Sequence, residues 1–278
     1  MDRLDAFKAI AEQASRGELA FPTNVNASLK LQQALNDPNC HVDHAARLIQ
    51  ADPLLAARTV AIANSVAYNR SGTEISSVRS AVHRLGVRTL QSLVASLIMR
   101  QLGSKIRNPV LKAKSAQLWE HTAHVAALAQ VIARRVSHVD PDTALFAGIV
   151  HEVGGFYMLA QAEAYPQVME GEPDEWIEHG EISIGRGVLS KLMIPDNVMK
   201  AVEAMWSGLR ALPPETLGDT LLLANDLAPV SSPLHARPGA TTPVAARTLD
   251  FAVGDGTLTA IMSESADEVK SLTAVLLM

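Results

Sequence analysis

The 278-residue chain has one cysteine, so no disulfide can form within it. That usage fits a reducing compartment and an expected cytoplasmic location. Cys40 lies between Asn39 and His41 with no second cysteine to build a zinc motif, and is expected to be a half-buried small residue. The N-terminus, Met1-Asp2-Arg3-Leu4-Asp5, has no basic start followed by an apolar core, so it is not read as a signal peptide. Apolar runs such as Leu93-Val94-Ala95-Ser96-Leu97-Ile98-Met99 are far shorter than a bilayer span, and no membrane association is expected.

Charge is also unevenly missing. There is no acid from Ile75 to Trp119, where Arg79, Arg84, Arg88, Arg100, Lys105, Arg107, Lys112 and Lys114 are basic. There is no Lys or Arg from Val136 to Gly185, a stretch that holds acids from Asp140 to Glu181. The formal net charge of −5 argues against general nucleic-acid binding. Two solvated faces, or two lobes that attract, account for the pattern. A sharper reading is a basic surface around Arg84, Arg88, Arg100 and Lys105 that steers an acidic protein partner.

Strand alternation, internal repeats and low-complexity tracts are absent too. What is present is helical periodicity. Leu90, Leu93, Val94, Leu97 and Ile98 share one face, as do Val125, Leu128, Ala129 and Ile132, and Leu189, Leu192 and Met193 form a shorter stripe. Asp52-Pro53, Asp140-Pro141 and Pro195-Asp196 read as helix starts. Loops are expected at 69–73 and 103–109, an acidic turn at 170–174, a connector at 231–243 and a last helix from about Ala266. The chain therefore reads as all-α, with an N-terminal helical lobe (1–108), a second helical lobe (109–230), and a connector with a C-terminal helix (231–278).

Several catalytic patterns can be excluded. No Gly-rich phosphate loop precedes Lys-Ser/Thr, and no Gly-x-Ser-x-Gly elbow occurs. Gly185-Arg186-Gly187 reads as a helix-packing glycine pair. The segment 250–256 lacks the alternating ligands of a calcium loop and reads as a turn. The suggestive chemistry lies in Trp119-Glu120-His121-Thr122, read as opening a helix, and in His151-Glu152, read as a pair inside another. An adjacent His–carboxylate pair and a His from a neighbouring helix can hold one cation that activates water. The bland alternative is a pair of buried histidines that hydrogen-bond each other or Glu152.

From Phe21 to about Trp206 the chain resembles the HDOD family, relatives of the HD metal-dependent phosphohydrolases. The match rests on Phe21-Pro22, Asp52-Pro53-Leu54, Ala63-Asn64-Ser65 with Tyr68, Ile75-Ser76-Ser77 with Ala81, and Leu85-Gly86 before an apolar helix. In the second half it rests on Trp119-Glu120-His121 and on Phe146-Ala147-Gly148-Ile149-Val150-His151-Glu152-Val153-Gly154. The resemblance implies an N-terminal bundle packed on an HD-like lobe and a role in bacterial signal transduction.

It also implies metal ligands that this chain has largely replaced. Glu152 stands where the phosphohydrolases carry Asp, one methylene longer than that position is expected to tolerate. Glu181 stands at the next His, with His179 two residues off on the wrong face. Met205 and Trp206 stand at a His-His pair, and Asn225 at the last Asp, with Asp226 beside it. The expected function is a non-catalytic regulatory module that acts through a signalling protein and carries a degenerate site without cofactor. A metal, if held, would use His121, His151, Glu152 and Asp226. The alternatives are a metal-dependent phosphohydrolase or phosphodiesterase on a nucleotide, and a cleft that senses nucleotides without turnover. Oligomeric state is not readable.

Overall fold

In a computed structural model, residues 2–16, 18–19, 21–169, 176–208, 211–234 and 257–278 are described. Every regular element among them is helical. The expected turns at 170–174 and 250–256, and most of the connector 231–243, lie outside the described residues.

Several helices start where a side chain satisfies the orphan backbone N–H groups of a first turn. The first is α1 (Arg3–Ser15), followed by α2 (Thr23–Asn36) and α3 (Val42–Gln50). Asp52 Oδ1 accepts from the N–H groups of Leu54 and Leu55 and opens α4 (Pro53–Ala63). Ser77 caps α5 (Val78–Leu102), whose path breaks at Gly86. There φ is +76°, a conformation open to glycine and strained for any L side chain. Asn108 caps α6 (Pro109–Ile132), and Asp140 caps α7 (Pro141–Val150). Then follow α8 (Val153–Gln161), the π-helical α9 (Trp176–Gly185), α10 (Arg186–Lys191) and α11 (Asp196–Ser207). A Thr216–Asp219 capping box starts α12 (Leu217–Leu227), and α13 (Thr257–Glu264) and α14 (Ala266–Leu277) end the chain.

Helices α2 to α5 form one lobe around the buried face of α5. Helices α6 to α12 form the second, with α6 and α7 side by side at its centre. Gly148 permits that approach: a Cβ there would lie 2.5 Å from Ala126 Cα. Two elements cut across the boundaries expected from sequence. Helix α1 packs on α9 and α10 of the second lobe, with Phe7 against the His179 ring at 5.9 Å and Ala14 against Gly187. Helix α14 packs on both α6 and α4, and its Ser271 hydroxyl accepts from the Val66 N–H at 3.2 Å.

The lobes also share a part-buried polar lock. Tyr68 donates to Asp142 Oδ1 at 3.0 Å and accepts from Gln130 Nε2 at 2.7 Å. Burial, and then the Asp142 carboxylate, push the Tyr68 phenol well above its ordinary range, so it stays a donor. Cys40 is half-buried, as expected.

One expectation about length needs correction. The stretch Pro141–Gln161 is long and apolar enough to cross a membrane, which a search for uninterrupted runs misses because His151 and Glu152 divide it. It is 89% buried inside the molecule, as a core helix pair would be.

Candidate metal centre

Three residues from the centre of the second lobe meet. His121, His151 and Glu152 are 2, 3 and 2% exposed, and one ligand atom of each lies within 4.8 Å of the others. Their elements differ from the sequence expectation. Trp119-Glu120-His121 does not open a helix but lies well inside α6, which begins at Pro109. His151 and Glu152 are not inside a helix either: they form the break between α7 and α8, as C-cap of one and N-cap of the other. That break lets the longer Glu152 side chain stay in the cluster, with Oε1 4.0 Å from both His121 Nε2 and His151 Nε2.

Hydrogen bonds fix the rings. His151 Nδ1 lies 2.6 Å from the Gly148 carbonyl oxygen, and His121 Nδ1 lies 2.8 Å from that of Val230. A carbonyl only accepts, so each Nδ1 carries the proton. In two neutral rings both Nε2 atoms then present lone pairs, and they face each other at 3.4 Å. Opposed lone pairs repel, and a cation between them removes the repulsion.

The geometry fits a metal ion. With metal–nitrogen bonds of about 2.05 Å at a tetrahedral angle, two ligand nitrogens stand about 3.3 Å apart. Glu152 Oε1 would need to move by roughly half an ångström to reach a bonded edge. Nδ1–H groups donating to backbone carbonyls are the usual outer partners of metal-bound histidines.

The remaining positions do not complete a larger site. Glu181 is buried on α9 but does not join the three-residue group, and His179 stacks on Phe7 instead. Met205 is buried among apolar side chains of α11, and Trp206 packs against Gly185. Asn225 and Asp226 sit half-buried in the last turn of α12, outside the group.

The start of the segment expected to be a connector closes the cluster. After α12 the chain runs along one face of α6. The Val230, Ser231 and Pro233 carbonyls accept from, or lie against, His121 Nδ1, Gln117 Nε2 at 3.1 Å and Lys114 Nζ at 3.2 Å. Lys114, Gln117 and His121 are spaced three and four apart, so their common face was readable in advance. Leu234 approaches Gly155 at the Glu152 end of the cluster.

Two of the four basic residues of the expected interaction surface are engaged within the chain. Arg84 gives its two arms to the Ala63 and Thr73 carbonyls. Arg88 pairs with Asp140 across the lobes at 2.6 Å. Arg100 is half-buried, and Lys105 is exposed in the turn after α5.

A model of the HDOD domain matches residues 21–187. No curated protein matches the chain. Among solved structures, a candidate metal-dependent phosphohydrolase from Shewanella amazonensis SB2B is 21% identical, with 98% of each chain covered and a TM-score of 0.71. An HDOD domain protein of unknown function from Geobacter sulfurreducens is 20% identical, with 99% of this chain and 98% of that one covered and a TM-score of 0.64. A candidate signal transduction protein from Marinobacter aquaeolei VT8 is 18% identical, covered over 67% of its length and 100% of this chain, with a TM-score of 0.60. These likenesses place the fold, and the domain match spans more than half of the sequence: the chain belongs to the HDOD family.

Proposed function

We propose that this chain is a regulatory HDOD module in which His121, His151 and Glu152 form a closed cation site without hydrolytic turnover. The observation that carries the reading is closure around a small donor set. Three ligands from α6 and the α7–α8 break are almost fully buried, and the 230–234 segment lies against them. A hydrolytic centre needs an open position that substrate and water can reach. Here Met205 and Trp206 stand at family ligand positions and offer no hard donor.

The cation's chemistry follows from the ligands. Two imidazoles and a carboxylate suit zinc, iron, manganese or nickel. Such an ion, when bound, lowers the pKa of a coordinated water. His121 links the site to the surface, because the ring that offers Nε2 to the cluster holds Val230 through Nδ1. Occupancy would strengthen that hydrogen bond and keep 230–234 on α6. A signalling protein would then read the segment, or the exposed basic residues Lys105, Arg107 and Lys112 around the start of α6.

Elemental analysis of the purified protein tests the site. About one divalent metal per chain is expected in the parent after dialysis against zinc, and none in His151→Ala. Equal metal in both, or none in the parent, contradicts it.

One observation favours a second reading. Two histidines and a carboxylate also make up hydrolytic zinc sites that keep water in the fourth position. If 230–234 opens, the same donors could act on a nucleotide phosphoester, and phosphodiesterase turnover by the zinc-loaded protein separates the two readings.

A further inference from the structure

We propose a second site, in the N-terminal lobe, where Arg58 and Arg100 bind the phosphoryl group of a small phosphate ester. It is independent of the histidine cluster and of any metal there.

Arg58 sits on the buried face of α4 among Leu55, Thr59 and Ile62, and is only 4% exposed. Its Nε is buried and makes no hydrogen bond, and the same holds for Nη1 of the half-buried Arg100 near the end of α5. Among the described residues no carboxylate pairs with either guanidinium within 4.0 Å. The two cations are close enough to feel each other. Burial, and then Arg100, lower the Arg58 pKa from its ordinary value, while Asp52 raises it.

A buried, uncompensated charge is among the costliest features a fold can keep. Asp52 offsets it only in part, because its Oδ1 already accepts the Leu54 and Leu55 N–H groups. Such a pair is explained if a ligand supplies the missing negative charge. Two guanidiniums on different helices suit a tetrahedral oxyanion, whose three acceptor oxygens can serve both. A planar carboxylate serves one guanidinium well.

The space for the rest of the ligand is a cleft in the same lobe that neither arginine itself lines, reached through Ser28 and Asp52. This cleft of about 390 Å³ is lined by Ala27, Ser28, Leu31, Leu48, Ala51 and Asp52, with Lys30 at its edge. That volume suits a small molecule. Two of its walls lead to the pair: Ser28 donates to Gln101, next to Arg100, at 3.0 Å, and Asp52 is the carboxylate within range of Arg58. Gln32, one turn beyond Ser28 on α2, is 2% exposed, and its Oε1 is a further buried polar atom with no hydrogen bond.

The test uses the full chain, with inorganic phosphate and a nucleoside monophosphate as probes against chloride at equal ionic strength. Saturating phosphate should raise the melting temperature of the parent by roughly 5–10 °C, because a ligand that prefers the folded state stabilises it. Arg58→Met, whose side chain fills similar space, should lose that rise while melting no lower than the parent in chloride. Arg100→Gln, at a half-exposed position, should lose at least tenfold in phosphate affinity and carries the comparison if Arg58→Met does not fold. No rise in the parent, or an equal rise in parent and variants, overturns the site. Tighter binding of the nucleoside monophosphate than of phosphate supports an ester as ligand, and equal or weaker binding overturns that assignment.

Discussion

At the scale of single residues, the chemistry of this molecule is decided by what lies on the far side of each polar group. His121 and His151 are ordinary buried histidines until their Nδ1 partners are considered, and then their Nε2 atoms are seen to face each other at 3.4 Å. Asp219 shows the same logic in a structural role. Burial pushes its carboxyl up, but hydrogen bonds from the Thr216 hydroxyl and from the Ala211, Thr216 and Glu215 N–H groups outweigh that and hold its pKa below the ordinary 3.8. A depressed folded-state pKa contributes stability above the unfolded value, and this is lost as pH falls through the folded value. Asp219→Asn should therefore destabilise the protein by about 1–3 kcal/mol at pH 7, with the difference shrinking below pH 4. Urea unfolding at both pH values measures it, and a difference independent of pH would contradict the assignment.

The residue scale also shows what sequence could and could not disclose. The family pattern Asn64…Ile75 was visible, and the structure gives its reason. The Asn64 side-chain amide donates to the Ile75 carbonyl at 2.7 Å and accepts from its N–H at 2.8 Å, clamping the loop between α4 and α5. Asp52 and Asp140 were readable as caps because caps are local. Arg58 was not singled out, since nothing in its sequence neighbourhood says that its partner is missing. The place of Glu152 depended on a helix break that local propensity does not announce.

At the scale of elements, the pair α6 and α7 positions the candidate site. Both were legible from periodicity and from the Asp140-Pro141 start, although the sequence reading began α6 ten residues late, at Trp119 instead of Pro109. Their separation is set at Gly148, which faces Ala126 and whose carbonyl also accepts from His151. A methyl group there must push backbone from backbone, so Gly148→Ala should cost about 1–3 kcal/mol or more. It should also weaken metal binding, because His121 and His151 ride on the two helices being parted. Thermal melting and zinc titration of the variant check both effects, and unchanged zinc affinity would detach the cluster from this contact.

At the scale of the whole molecule, the all-helical architecture was legible but the packing of its ends was not. Helix α1 is local to the first lobe in sequence and packs on the second, while α14 bridges both. Contacts between distant segments leave no periodic trace, so only coordinates reveal them. The exposed Arg88–Asp140 pair is expected to contribute at most about 1 kcal/mol to the seam. The part-buried Tyr68–Asp142–Gln130 lock matters more. Tyr68→Phe should cost about 1–3 kcal/mol, since Asp142 and Gln130 lose a partner in a low-dielectric setting. Denaturant unfolding checks this, and a cost below that of Arg88→Ala would contradict the ranking.

The central claim is that the histidine cluster holds a cation and does not turn over phosphoesters. The most direct test is hydrolysis by protein loaded with one equivalent of zinc or manganese, using bis-p-nitrophenyl phosphate and cyclic dinucleotides as substrates. The account predicts release no faster than that of His151→Ala under the same conditions. Turnover in the parent that disappears in His151→Ala would contradict it and establish the enzyme reading.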